Sequence, residues 1–421
     1  MVYGNDMHSR RRFLRSAAAA PAVPLIVPGS VLGLNGATPP SDRITLGGIG
    51  IGRRGQAVLN DFLEQPDVQF VAVCDVRNER REEIKSLADK KYGNRDCAAY
   101  SDMFELLARQ DIDAVLIATS DRWHALISIY AAKAGKDIYC EKPCSMTIAE
   151  SRALADTVRR YGRIFQAGTQ RRNISNFVLA VEMARSGKLG KLTTLHANTL
   201  DPRTTHDWLP PEPEPPKQLV DWDRWLGPAP WRPYNAAYIA GRWRGFWDLH
   251  GGGILEWGAH TVDLCQWANQ ADETTPVEYT PQGNHILCRY ANGVNLLMRD
   301  TGWMGLGTCS VRFEGDAGWV ETGDTGKMEA SENLRNEIQL ATMPGTRALN
   351  HVRDFLDCVR SRRQPRSHEE ATARAHIACH AAYIAWQLGR TLRWDPVREE
   401  FLNDEQANRM RSRAMREPWR I

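Results

Sequence analysis

Ile44-Thr45-Leu46-Gly47-Gly48-Ile49-Gly50-Ile51-Gly52-Arg53-Arg54-Gly55 is the stretch that decides the fold. Its first six residues carry no charge and read as a buried strand. Gln56 to Leu63 reads as the amphipathic helix that follows. The glycines of Gly50-x-Gly52-x-x-Gly55 let the chain turn tightly and let backbone N–H groups approach a pyrophosphate at the helix N-terminus. That spacing alone is weak evidence, and here it has context. A second strand, Val68 to Cys74, runs into Asp75, twenty residues past Gly55. An acid there accepts hydrogen bonds from a ribose diol and repels a 2′-phosphate. Gly50, Ile51, Gly52, Arg53, Gly55 and Asp75 are therefore the candidate site for a dinucleotide, with NAD favoured and NADP left open by Arg77. The competing reading is a structural strand–helix turn without a ligand.

Outward from this loop, strands and helices alternate from Ile44 to about Phe165, the pattern of a parallel sheet covered on both faces. Asp113 to Thr119 is a strand with almost no polar interruption. Gly135 is placed to cap a helix from Trp123 to Ala134. Asp137 to Cys140 is a strand running into Glu141-Lys142-Pro143. Thr147-Ile148-Ala149-Glu150 has capping-box spacing and opens a helix to Arg160. After Thr169 the pattern changes to strands joined by turns such as Ala291-Asn292-Gly293, which predicts one large, mostly antiparallel sheet. Helix returns over 346–390. The expected organisation is a leader and linker over 1–41, a Rossmann domain over 42–168, a sheet domain over 169–345, and C-terminal helices and tail over 346–421. The fold class is α/β in two domains, long enough at 421 residues for separate cores.

The formal net charge is +3. Arg10, Arg11, Arg12 and Arg15 against Asp6 supply it, so the rest of the chain is neutral. A neutral body offers no electrostatic footprint for nucleic acid or anionic lipid. Nine scattered cysteines, with no C-x-x-C pair, indicate neither a disulfide framework nor a zinc site. Ser9 to Arg15 followed by the apolar run to Leu34 reads as an export signal, and Arg-Arg followed by Phe-Leu resembles the twin-arginine type. Pro21, Pro24 and Pro28 argue against a stable membrane span. The expected location is periplasmic, or membrane-associated on the outer side if the signal is retained.

Two further segments could carry chemistry. Lys142 sits where a parallel strand emits its loop, the edge at which such sheets bind ligands. A lysine there can orient or deprotonate a hydroxyl, or simply be a surface residue. The second segment runs from Gly251 to Trp267. Its three leading glycines free the backbone to approach a ligand. Glu256, His260, Asp263 and Trp267 then share one helical face at i, i+4, i+7 and i+11. Such a face could pass a proton, with a carboxylate fixing the tautomer of His260. It could equally be a buried polar network that orients the helix. One His with two acids is a weak metal signal, so no metal is expected. Between them, the segment 201–248 is rich in Pro and Trp. Eight of the fourteen tryptophans lie between Trp208 and Trp267. Their rings could bind sugar faces or simply pack a loop that has no strands of its own.

The glycine motif, Ala118-Thr119 with His124 five residues on, Gly135-Lys136, Glu141-Lys142-Pro143 and the Gly251–Asp263 helix occur in an order that resembles the glucose–fructose oxidoreductase / inositol dehydrogenase / MocA family, over about residues 43–395. The resemblance implies a Rossmann domain plus an α/β domain with an open sheet, and NAD(P)-linked oxidation or reduction of sugars, polyols or their derivatives. It implies that Lys142 assists proton transfer, that His260 is the acid/base, that Asp263 lies near the substrate, and that Thr119, His124, Glu141 and Lys142 border the cofactor. Glu256 stands where inositol dehydrogenase-like members carry Asp. Gly168-Thr169-Gln170-Arg171-Arg172 resembles the segment joining the domains. A homodimer or homotetramer is implied by analogy alone.

Three activities follow as expectations. The first is an exported oxidoreductase with a tightly held cofactor, acting on a carbohydrate or cyclitol. The second is an NAD-dependent glycosidase or epimerase working through a transient keto-sugar. Glycosidases of this fold carry Tyr-x-x-His in this helix, whereas this chain reads Glu256-Trp-Gly-Ala-His260. The third is a non-catalytic, cofactor-binding sensor.

Overall fold

Strand β1 (Ile44–Ile49) lies in a six-stranded sheet with β2 (Val68–Cys74), β3 (Ala98–Tyr100), β4 (Ala114–Ile117), β5 (Asp137–Cys140) and β6 (Phe165–Ala167). The order is β3-β2-β1-β4-β5-β6, and every pair is parallel. All residues of β4, β5 and β6 are buried, as strands covered on both faces must be. Strand order reverses between β1 and β4, so the loops at their carboxyl ends diverge and open a crevice. The helix Arg53–Leu63 buries Gly55, Val58, Leu59, Phe62 and Leu63, a single stripe at helical spacing. Gly135, at φ +78°, follows the helix Asp121–Lys133 in the left-handed conformation expected of a cap. Thr147 Oγ1 accepts from the Glu150 N–H at 3.1 Å and starts the helix Ile148–Arg160.

These elements are a computed structural model that describes residues 38–300, 305–339 and 349–421. The basic leader around Arg10–Arg15 lies outside the described residues. No helix among the described residues is long and apolar enough to cross a membrane.

The second sheet has nine strands: β7 (Leu192–Asn198), β8 (Glu278–Gln282), β9 (His285–Arg289), β10 (Asn295–Arg299), β11 (Val311–Gly315), β12 (Gly318–Thr322), β13 (Met328–Ala330), β14 (Leu392–Asp395) and β15 (Glu400–Phe401). The order is β13-β12-β11-β7-β10-β9-β8-β14-β15. Neighbours are antiparallel except β7 and β10, which run parallel at the centre. One sheet face and the helices Ser175–Arg185, Gly253–Ala268 and Glu369–Leu388 share a core that includes Phe177, Leu195, Val262, Leu296, Phe313 and Ile377.

The C-terminal 346–421 region is not a separate layer. Val352, Phe355 and Leu356 of the helix Leu349–Ser361 enter the Rossmann core beside Val58, Phe62 and Tyr139. The next helix, Glu369–Leu388, belongs to the second core. Strands β14 and β15 then extend the second sheet, and the tail returns Trp419 to the Rossmann side beside Trp123. Residues 44–421 accordingly form one compact unit. β14 and β15 escape a sequence reading because, at four and two residues, they are too short for even the alternation of Leu392-Arg393-Trp394-Asp395 to stand out.

Candidate functional site

The three glycines of the first loop have three separable reasons to be glycine. Gly50 has φ +69°, and a Cβ there would lie 2.2 Å from Thr119 Cγ2. A Cβ on Gly55 would lie 2.7 Å from the Ala118 Cβ, so Gly55 lets the helix seat on β4. A Cβ on Gly52 would meet nothing within 4 Å. The chain leaves open space at the helix N-terminus, where a pyrophosphate would sit. That cradle opens on a cavity of about 570 Å³ lined by Gly50, Gly52, Arg53, Asp75 and Thr119 among others. Asp75 accepts the Arg77 N–H at 2.9 Å. Burial pushes its carboxyl up to about 6, against the pull of the Arg77 N–H and of the arginines around it. The residues present fit a dinucleotide.

Three expected cofactor residues take other roles. Ile51 is fully buried, its side chain packed against Gly48 and Gly55. His124 is buried, with Nδ1 2.7 Å from the Pro143 carbonyl and Nε2 3.2 Å from that of Thr119. It ties the loop after β4 to the loop after β5. The Glu141 carboxylate accepts from Arg54 Nε (3.2 Å), Gln170 Nε2 (2.9 Å) and the Lys142 N–H (3.3 Å), which fixes the base of the Lys142 loop.

The Lys142 side chain crosses to the glycine-led helix. Its Nζ donates to the Glu256 carbonyl at 2.7 Å and to Glu256 Oε1 at 3.1 Å. The other carboxylate oxygen, Oε2, accepts from His250 Nε2 at 3.0 Å. Burial raises the Glu256 carboxyl, but the His250 hydrogen bond and the Lys142 ammonium outweigh it and hold the group below the usual carboxylate range. Glu256 is an anion clamped between two donors. His250 Nδ1 faces the N–H groups of Gly252 (3.2 Å) and Gly245 (3.4 Å). Nδ1 is therefore the acceptor, and Nε2 carries the hydrogen. Asp121 Oδ2 lies 3.7 Å from His250 Nε2 and accepts the Gly251 N–H at 3.0 Å. Asp121, His250 and Glu256 bring one ligand-type atom each within 4.8 Å of one another. The tautomer nonetheless makes His250 a donor toward Glu256 rather than a lone-pair ligand.

The stripe Glu256–His260–Asp263 is not one site. It is a ladder that meets a cation at each rung. Glu256 meets Lys142. His260 Nε2 meets Arg171 Nη1 at 2.8 Å, and Arg171 is held by Asp324 through Nε (3.1 Å) and Nη2 (2.8 Å). Asp263 accepts from Arg172 Nε at 2.7 Å and Nη2 at 2.9 Å, and Asp272 accepts from the same Nη2 at 2.7 Å and from Nη1 at 3.0 Å. Burial lowers the Arg172 guanidinium, yet Asp263 and Asp272 more than offset it and keep it charged. Both Asp263 oxygens are occupied, so the expected place beside the substrate becomes an ion-pairing one. Burial, with Arg171, Lys142 and Arg54 nearby, holds His260 well below its ordinary range, and the ring is neutral. A guanidinium only donates, so Nε2 accepts and Nδ1 carries the hydrogen, with no partner among the described residues. Of the two halves of the acid/base role that the resemblance implies, the structure presents His260 as a neutral ring with its hydrogen on Nδ1. The leading glycines also differ from expectation. A Cβ on Gly253 would lie 1.8 Å from the Asp201 carbonyl oxygen, so close approach there is to the chain itself.

His250, Asp121, Arg54, Arg171 and Arg172 join the site without a site role legible in the sequence, although Arg171 and Arg172 lie in the segment that joins the domains. Arg54 lay inside the quoted glycine motif, and His250 directly precedes the Gly251 run. The tryptophan-rich segment forms its own cluster, in which Trp222, Trp225, Tyr238 and Trp243 are buried together. Packing accounts for most of these rings, while Trp208 and Trp231 stay exposed.

A parallel sheet with a glycine cradle at its switch point and a lysine after β5, joined to an open-sheet domain whose helix Gly253–Ala268 brings Glu256 to that lysine, defines a two-domain, dinucleotide-dependent class of protein. Residues 44–169 match the NAD-binding Rossmann fold of an oxidoreductase family, and residues 204–421 match that family's C-terminal alpha/beta domain. The chain belongs to this family, Gfo/Idh/MocA. It is 32% identical over 157 residues to a myo-inositol 2-dehydrogenase of Thermotoga maritima, covering 37% of this chain and 45% of that protein. It is 37% identical over 127 residues to a glycosyl hydrolase family 109 protein of Porphyromonas gingivalis, covering 29% and 27%. The matched stretches thus span less than half of these relatives. In fold it is similar to the WlbA dehydrogenase of Bordetella pertussis, solved with NADH and UDP-GlcNAcA, with a TM-score of 0.62 and 18% identity, over 84% of this chain and 99% of that one.

Proposed function

We propose that the protein is an NAD(P)-dependent oxidoreductase acting on a CH–OH group of a sugar, cyclitol or sugar derivative. The observation that carries this is Lys142 Nζ held 3.1 Å from Glu256 Oε1 at the carboxyl end of β5, which β4 alone separates from the strand that emits the glycine cradle, β1. When bound, NAD supplies the hydride donor or acceptor. Lys142 holds the proton that the substrate oxygen gains or loses. Glu256, fixed in turn by His250, keeps the ammonium from swinging away. His260, neutral with hydrogen on Nδ1, supplies a second donor rather than a second base. The named activity of the Thermotoga maritima relative, a dehydrogenase of myo-inositol, supports this substrate class.

The twin-arginine-type leader supports export, which removes the protein from a soluble NAD pool. A cofactor held through every turnover then suits the chain, and the hydride must return within each cycle. A transient keto-sugar cycle, as in a glycosidase or epimerase, is the second reading. The relative named a family 109 glycosyl hydrolase favours it. The family's face-to-face sheets support a homo-oligomer by analogy.

The test is a screen of sugars and cyclitols against the purified protein, with its as-isolated cofactor identified by mass. Reduced-nicotinamide absorbance that rises or bleaches with one sugar, only when free NAD is supplied, establishes an ordinary dehydrogenase. The same response from retained cofactor alone establishes a closed cycle. No response from any sugar or cyclitol overturns the enzymatic reading.

A further inference from the structure

The cavity above the glycine cradle is not bounded by the Rossmann domain alone. Its lining includes Trp225, Trp243 and Arg244 of the tryptophan-rich segment and Trp419 of the C-terminal tail. These residues belong to three separate stretches of chain, and each is anchored. Trp225 stacks on Trp222 at 4.7 Å, and the Arg122 guanidinium lies 4.0 Å from its ring centre. Arg224, beside it, reaches Asp102 at 2.7 Å in the loop after β3. The segment touches the Asp75 loop as well. The Asp221 N–H donates to the Val76 carbonyl at 3.0 Å, and Arg77 Nη1 donates to the Ile239 carbonyl at 3.3 Å.

The tail is held just as firmly. Arg416 donates to Asp223 Oδ1 at 2.5 Å, to the Gly227 carbonyl at 3.1 Å and to the Ala229 carbonyl at 3.2 Å. Its own N–H donates to the Pro228 carbonyl at 3.0 Å, and the Trp419 N–H returns to the Arg416 carbonyl at 3.0 Å. Trp419 then meets Trp123 edge-on at 4.7 Å. The cavity's charge is also informative. Arg53 and Arg244 both line it, both are exposed, and neither has a carboxylate partner among the described residues. The Arg244 guanidinium lies 4.5 Å from the centre of the Trp243 ring, and guanidinium groups without a carboxylate, lining a cavity that reaches the glycine cradle, suit a diphosphate. A volume of about 570 Å³ lies within the range of ligand-binding cavities.

We propose that residues from outside the nucleotide-binding domain complete the cofactor site: Trp225 and Trp419 wall its adenosine end, and Arg244 pairs with the pyrophosphate. The dinucleotide would then leave only after the Trp419 tail or the Ile239–Arg244 stretch moves, which makes release slow. This deepens the reading of a retained cofactor and rests on the groove being a dinucleotide site.

The experiment loads full-length protein with NADH and chases it with excess NAD, following loss of bound-NADH fluorescence. Arg244 is exposed, so Arg244→Gln should fold normally and release NADH about tenfold faster or more, with a weaker salt dependence, as one charge-assisted contact to phosphate is lost. Trp419→Ala should also speed release, and the equilibrium Kd for NADH should rise in step in both variants. Release rates and Kd values within twofold of the unmodified protein in both variants overturn the proposal. These readouts need no substrate. A protein that responds to no sugar but shows the faster release in both variants fails the enzymatic reading while upholding the wall.

Discussion

Two glycine runs open two helices in this molecule, and they solve opposite problems. At Gly50–Gly55 the outer glycines admit Thr119 and Ala118, but the middle one leaves space: a Cβ at Gly52 would meet nothing. At Gly251–Gly253 the missing side chains admit protein: a Cβ at Gly253 would strike the Asp201 carbonyl. The first run makes a ligand cradle. The second packs the start of the tryptophan-rich segment against a helix N-terminus and aims Glu256 at Lys142. The same residue type before a helix therefore says that something comes close, and only the surroundings say whether it is a ligand or the chain.

The largest test of this contrast is Arg172, at the far rung of the second helix. Arg172→Met strands the Asp263 charge in a buried site, and stability should fall by ~3–5 kcal/mol in denaturant unfolding. A loss below about 1 kcal/mol, the scale of an exposed ion pair, would place Asp263 back among candidates for substrate contact. Next is Glu256→Gln, which keeps shape and removes the anion that holds Lys142. Turnover should fall ~10²-fold while unfolding is little changed. At the first run, Gly52→Ala should leave stability intact and weaken NAD binding about 30-fold by calorimetry, because a methyl enters the phosphate space. Unaltered affinity would make that loop a plain turn.

The smallest effect concerns pH. With the Asp75 carboxyl near 6, the anion that accepts the ribose hydroxyls dominates above that pH and is protonated below it. NAD affinity should therefore weaken as pH falls, by up to about tenfold between pH 7 and pH 5. Asp75→Asn should flatten the dependence. A flat profile in the unmodified protein would remove Asp75 from the ribose.

Legibility in the sequence followed the range of the interaction. The strands β1, β2, β4 and β5, the Gly135 and Thr147 caps and the glycine cradle are set by neighbours a few residues away, and each could be read locally. The stripe Glu256–His260–Asp263 could also be read, because helical periodicity places residues on one face. What the stripe does could not. Lys142 comes from the Rossmann domain and Arg171 and Arg172 from the segment after β6 that joins the domains, 89 to 114 positions away. Each partner assigns its rung a different job. His250 lies next to the glycine run, yet its part depends on two backbone N–H groups that fix its tautomer. The tail was the hardest to read, because Trp419 acquires its place only when Arg416 locks onto residues 223–229.

The central claim is that Lys142, clamped by Glu256, handles the proton beside the bound dinucleotide. It is tested most directly by single-turnover absorbance of the NAD-loaded protein with the sugar or cyclitol that elicits a response, comparing the unmodified chain with Lys142→Ala. The account predicts that the nicotinamide signal in the variant changes ~10²-fold or more slowly, at comparable cofactor occupancy and melting temperature. A variant that turns over at the unmodified rate would contradict it.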